Sequence, residues 1–192
     1  MCAALVEGPS GKEVEIDDFG SLLMVSTLMQ LNREGVGLFV VPPSFFYSAR
    51  SVFCDFGNLG LGVDVAFALP AGTFAPATNM ATYLVVVRRK PSEQMFVAQL
   101  SGDTHTNLQV ITNFRNGTEG GSVELGRFVA AKTFRSIEHL RASEAITANE
   151  KRFGYQSSNL AELGDVKSGI RMGRHGDEFV FQPLENAIYI PL

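Results

Sequence analysis

The chain has 192 residues, of which 45% are hydrophobic and 19% charged, with a formal net charge of -4. That length and balance predict one domain, or one domain plus a short piece of a second, and exclude wholesale disorder. An acidic total argues against a protein that coats nucleic acid, while local basic clusters on one face remain compatible with phosphate contact. No stretch approaches the roughly 20 apolar residues needed to span a bilayer. Residues 1–8 carry neither a basic n-region nor a long apolar run, so a secretory signal is not expected and cytoplasmic location is the default. Cys2 and Cys54 fit no disulfide or metal-ligand spacing. Cys54 lies in an apolar stretch and is expected to be a small buried hydrophobe.

Residues 1–16, polar and rich in Gly and Glu, read as a flexible start. Asp17 and Asp18 then precede Phe19, Leu22, Leu23, Val25, Leu28, Met29 and Leu31, a spacing that predicts a helix buried along one face with acidic residues at its positive end. Gly35 is expected to close it as a left-handed C-cap. Val36 to Val41, apolar without alternation and stopped by Pro42-Pro43, reads as a central parallel strand. Ser44 opens a predicted second helix carrying Phe45, Phe46, Val52, Phe53 and Phe56. Strands follow at Val63–Leu69, Met80–Val87 and Met95–Leu100. Beyond Ser101, Leu108, Ile111 and Phe114 suggest a helix with Asp103 or Thr104 near its start, and residues 127–148 suggest a strand and then a charged helix. Residues 151–158 read as a linker. The order predicts an α/β sheet with helices on its faces and an antiparallel strand pair at one end. In particular, Val36–Val41 and Val63–Leu69 should run parallel, with Thr82–Val87 inserted antiparallel at or near the edge, because the loop before it is too short for a crossover helix.

The stretch from Phe19 to Leu100 resembles one family. It contains Glu34-Gly-Val-Gly-Leu-Phe-Val-Val-Pro-Pro-Ser-Phe-Phe46, then Val63-Asp-Val-Ala-Phe-Ala-Leu-Pro-Ala-Gly-Thr-Phe-Ala-Pro76, then Thr82-Tyr-Leu-Val-Val-Val-Arg-Arg89. This series looks like the second half of the catalytic domain of adenine-specific DNA methyltransferases, the modification subunits of restriction-modification systems. The likeness covers about half the chain. It implies residues 17–150 as the carboxy-terminal part of a Rossmann-like, S-adenosylmethionine-dependent methyltransferase sheet. Asn159-Leu-Ala-Glu-Leu-Gly-Asp-Val-Lys-Ser-Gly169 resembles the opening of a DNA target-recognition module, so residues 151–192 become a linker and the start of such a module. The resemblance implies double-stranded DNA as substrate, S-adenosylmethionine as cofactor of the complete enzyme, and an amino-terminal half and a specificity subunit as partners.

The family's cofactor turn (Gly-rich, after the first strand) and its catalytic Asn-Pro-Pro-Tyr-type turn belong upstream of Asp17 and are not found in this chain. No catalytic, cofactor-binding or metal-ligating residue is therefore assigned, and the chain alone is expected to be inactive. Val41-Pro-Pro-Ser44 has no side-chain acceptor at Val41 and no stacking ring at Ser44, and reads as a strand end. By resemblance, Phe74 in Gly72-Thr-Phe-Ala-Pro76 stacks on the extruded adenine; the alternative is a loop aromatic packed under the sheet edge. Arg88, Arg89 and Lys90 are candidate DNA-backbone contacts or a solvated strand terminus. Lys167, Arg171 and Arg174 are further candidates for the same contacts. His105 and His139 have no metal-ligand spacing, and Ser101, Asp103 and His105 lack the nucleophile elbow of a hydrolase. A competing possibility is a non-catalytic DNA- or protein-binding module derived from such a methylase.

Overall fold

The computed structural model describes residues 4–48, 51–154 and 158. In chain order the elements are β1 (Ala4–Glu7), β2 (Glu13–Ile16), α1 (Phe19–Gln30), β3 (Val36–Val41), α2 (Ser44–Tyr47), β4 (Gly62–Ala68), β5 (Tyr83–Arg88), β6 (Gln94–Gln99), α3 (Thr104–Asn116), β7 (Arg127–Ala130) and α4 (Ile137–Phe153). β1 and β2 pair as an antiparallel hairpin, and the other strands form one mixed sheet in the order β3-β5-β4-β6-β7.

β5 pairs antiparallel with β3 on one side and with β4 on the other, so β3 and β4 run parallel with β5 between them, as expected from the short loop that precedes it. β6 extends the sheet parallel to β4, and β7 closes it antiparallel. Strand periodicity sets the two faces. A Cβ on Gly37 would lie 2.7 Å from Leu28 Cδ2, which puts Gly37, Phe39 and Val41 under α1. On that face the larger core gathers Val25, Leu28, Phe45, Phe46, Val85, Val87, Phe134 and Ile137. The opposite face is covered by α3, through Val110 and Phe114, over Val65, Phe96 and Ala98. That cover stops short of β3, where Val36, Leu38 and Val40 stay exposed.

Several expectations are corrected. Residues 4–16 are the β1–β2 hairpin rather than a flexible start; the alternation Glu13-Val-Glu-Ile16 buries Val14 and Ile16. Gly35 is not left-handed: α1 ends at Gln30 with an extended Leu31. The glycine is needed for space, since its Cβ would lie 2.7 Å from that of Leu31. The second helix is only one turn, Ser44–Tyr47, followed by a 3₁₀ turn at Val52–Asp55. Ser51 starts that turn, its hydroxyl donating to Phe45 O at 2.5 Å and accepting from Phe53 N at 3.3 Å. Cys54, expected inside, is exposed, because the irregular turn points Val52 and Phe56 inward instead. α4 runs through Phe153 and is closed by a left-handed Gly154 (φ 68°), so residues 151–153 are helix rather than linker. Asn159–Gly169 and the rest of the tail lie outside the described residues.

Candidate functional site

In open α/β sheets ligands gather at the carboxyl ends of the parallel strands. Here β3, β4 and β6 all end on one side, at Val41, Ala68 and Gln99, and β5 begins there at Tyr83. Three segments leave this end: Pro42-Pro43 after β3, the loop from Leu69 to Thr82 joining β4 to β5, and Leu100 to Asp103 leading from β6 to α3.

The loop is built by its own hydrogen bonds. Leu69 N donates to Thr82 O at 2.9 Å, closing its base. Thr73 reaches back to Pro70 O with both its backbone N–H (3.2 Å) and its hydroxyl (2.6 Å). Gly72 adopts φ +77°, and its Cβ position is open space, so the backbone conformation rather than crowding calls for glycine. Ala75 N then bonds Gly72 O at 2.9 Å, and Thr78 N bonds Phe74 O at 3.2 Å. These turns leave Phe74 at the crest, 39% exposed, with Met80 exposed beyond it.

Beneath the loop, Tyr83 is almost wholly buried against Phe46 and Phe134. Its hydroxyl accepts a hydrogen bond from Ile137 N at 3.1 Å, tying the start of α4 to the start of β5. Burial pushes the Tyr83 hydroxyl above the usual tyrosine pKa, an effect that the Ile137 N–H partly offsets. Beside the end of β3 lies an open cavity of about 420 Å³, walled by Asp17, Asp18, Leu23, Val41, Pro42 and Ser44 among others. Its signal in the sequence was the acidic pair before a helix, which reads as a cap; Asp18 does accept from Ser21 N at 2.8 Å.

The basic cluster after β5 sits at the opposite end of the sheet, since Arg88 pairs in register with Val36 and Gly62. Arg88 Nε lies 2.5 Å from Asp64 Oδ2, near enough for an ion pair though not aligned as a hydrogen bond. Arg89 Nη1 donates to Met29 O at 3.2 Å and Leu31 O at 2.9 Å, satisfying carbonyls left open at the end of α1. Lys90 is exposed. Phe74 and Arg88–Lys90 are thus not brought together, and Lys167, Arg171 and Arg174 lie outside the described residues.

Ser101, Asp103 and His105 form a helix cap. Asp103 accepts from His105 N at 3.2 Å and, through its second oxygen, from Thr106 N at 3.0 Å. The Thr106 hydroxyl and these N–H groups hold its carboxyl below the usual range. A carboxylate already seated on that helix start opposes a second anion there. His105 and His139 are exposed, and among the described residues no three His, Cys, Asp or Glu side chains could share a metal ion. As for S-adenosylmethionine, β3 and β4 are followed by Pro42-Pro43 and Leu69-Pro70 rather than by a Gly-rich turn, so these strand ends do not fit the cofactor. No described helix is long and apolar enough to cross a membrane.

No family model matches the chain, and no curated protein matches it. Two solved structures are similar to it. One is a chain from the type I R-M system, from work on complex assembly and conformational transition, with 15% identity and a TM-score of 0.44 over 74% of this chain and 38% of that one. The other is named as a modification subunit of a type I restriction enzyme from Vibrio vulnificus YJ016, with 16% identity and a TM-score of 0.40 over 71% of this chain and 31% of that one. The chain therefore spans between 31% and 38% of the length of the structures it is similar to.

Proposed function

We propose that this chain is part of an S-adenosylmethionine-dependent, adenine-specific DNA methyltransferase of a restriction-modification system. The observation that carries the reading is the exposed Phe74, raised on a hydrogen-bonded loop at the carboxyl end of a sheet in which β5 is inserted antiparallel between parallel β3 and β4. An enzyme acting on a base within duplex DNA must extrude it and hold its flat faces. Phe74 supplies one such face, and Tyr83 anchors the floor of the loop without entering the chemistry.

The chain's own residues provide base-holding surface and scaffold. Cofactor binding and activation of the target amino group fall to an amino-terminal methylase half, which this reading takes as the partner together with DNA and a specificity subunit. Alone, the chain neither binds S-adenosylmethionine at micromolar concentration nor transfers methyl groups, which equilibrium dialysis and a methylation assay would check. In a complex restored with such an amino-terminal half, Phe74→Ala lowers turnover on duplex DNA by the equivalent of about 1–3 kcal/mol of stacking, while cofactor affinity stays nearly unchanged. Full turnover in the variant complex would return Phe74 to ordinary packing, and micromolar cofactor binding by the chain alone would overturn the division of labour.

A further inference from the structure

Among the described residues one side-chain hydroxyl is both buried and without a hydrogen-bond partner, that of Thr82. Other hydroxyls at this end of the sheet are used. Thr73 donates to Pro70 O at 2.6 Å, Thr78 accepts from Met80 N at 3.0 Å, and Tyr83 accepts from Ile137 N at 3.1 Å. A buried hydroxyl with no partner gives up its bonds to water and weakens the fold. Proteins keep such groups chiefly where a site uses them. The orphan does not come from an open sheet edge. β5 lies between β3 and β4, and Tyr83, the next residue, is paired with both Val41 and Ala68. A strand added beyond β3 would have β3 between it and Thr82.

Thr82 is the last residue of the loop that raises Phe74, and its carbonyl accepts from Leu69 N at 2.9 Å to close the loop's base. Between these two residues the hydrogen bonds are all internal: Thr73 to Pro70, Ala75 to Gly72, Thr78 to Phe74 and Met80 to Thr78. Among the described residues none ties residues 70–81 to another element, which leaves the loop to turn as one body on Leu69 and Thr82. We infer that Thr82 is a further substrate-contacting residue: when the loop turns to seat an extruded base against Phe74, the Thr82 hydroxyl is uncovered and hydrogen-bonds the edge of that base. A hydroxyl both donates and accepts, and adenine presents an amino donor beside a ring-nitrogen acceptor, so either partner on the base edge can be met. This rests on the methylase reading for the identity of the base. The buried, unpartnered oxygen at the hinge of the loop does not.

Thr82→Val keeps the shape of the side chain and removes the oxygen, so it moves stability and activity in opposite directions. In the 192-residue chain alone it should raise the folding equilibrium constant, read by urea unfolding, by about tenfold. In the complex restored with an amino-terminal half it should lower kcat/KM on duplex DNA by about threefold to tenfold, with cofactor affinity unchanged. Thr82→Ser keeps the hydroxyl and should hold parental turnover without the gain in stability. A Thr82→Val chain no more stable than the parent would overturn the inference, because the hydroxyl would then have a partner in the fold. A Thr82→Ser complex as slow as the Thr82→Val complex would overturn it too. Phe74→Ala in the same complex tests the base-holding loop by itself. Full turnover in Thr82→Val beside a slow Phe74→Ala sinks only this inference, and full turnover in both sinks the methylase reading with it.

Discussion

Tyr83→Phe should be costly despite deleting a single oxygen. Tyr83 and Ile137 are 3% and 1% exposed, so the Ile137 N–H has no water to turn to when the hydroxyl that accepts its hydrogen bond is removed. The ring contacts with Phe46 (5.1 Å between centroids) and Phe134 (6.1 Å) are retained, so the loss isolates one buried donor, about 1–3 kcal/mol. Alkaline pH supplies a second signature. Burial raises the folded-state pKa of this hydroxyl, so its stabilising contribution is fully present below the ordinary tyrosine value and is lost as pH rises through the raised one. Above about pH 10, the parent should therefore lose stability faster than the variant, by up to about 1.4 kcal/mol per pH unit from this group. Urea unfolding of both proteins at neutral pH and through the alkaline range measures both effects. An unchanged midpoint at neutral pH would refute the buried-donor argument. A parent–variant gap that stays constant into alkali would refute the pKa argument.

Arg89→Ala should cost about 1 kcal/mol of stability through the two carbonyls it leaves open at the end of α1. DNA affinity, compared at equal folded fraction in a mobility-shift assay, should be unchanged; a drop in affinity without a drop in stability would make Arg89 a phosphate contact instead. Gly126→Ala should be far worse, about 2–5 kcal/mol, because the residue holds φ +98° and its Cβ would lie 1.9 Å from the Phe96 ring. Thermal melting reads it directly, and a near-neutral result would mean that the β7 end of the sheet is loosely packed.

The sheet strands were legible as apolar runs of strand length closed by Pro, Gly or charge, and loop length dictated that β5 return antiparallel, but Val36–Val41, expected to be a central parallel strand, stands at the sheet edge with β5 as its antiparallel neighbour, and the strand expected from Met80 begins at Tyr83. The hairpin at residues 4–16 was legible in principle: Glu13-Val-Glu-Ile16 alternates cleanly, but its short strands are flanked by polar turn residues that make the whole stretch look unstructured. The broken second helix was not legible, because Phe45, Phe46, Phe53 and Phe56 cluster around one another by edge-to-face contacts that need no helical period. Phe74 could be placed on a loop from Pro70 and Pro76, but its exposure depends on the Thr73 back-bonds and on Gly72, which no periodicity reveals. Arg88, Arg89 and Lys90 read as one basic cluster in sequence, yet alternate directions along the strand end send Arg88 to Asp64 and Arg89 to α1.

The antiparallel direction of β5 also decides what a DNA site on this chain can be. Its first residue, Tyr83, stands at the carboxyl ends of β3 and β4 and its last, Arg88, at their amino ends. Five strand steps separate them, about 17 Å, so Arg88–Lys90 cannot grip the phosphates that flank a base held at Phe74. The charges found near the loop do not replace them. Arg141, beside Gln99 at the end of β6, is paired with Glu124, and the cavity wall at the end of β3 carries Asp17 and Asp18. On the methylase reading, then, the described residues offer a stacking surface at the loop, with the basic cluster Arg88–Lys90 at the other end of the sheet. Because phosphate neutralisation dominates affinity for duplex DNA, that reading expects the salt dependence of binding to be set by basic residues other than Arg88, Arg89 and Lys90.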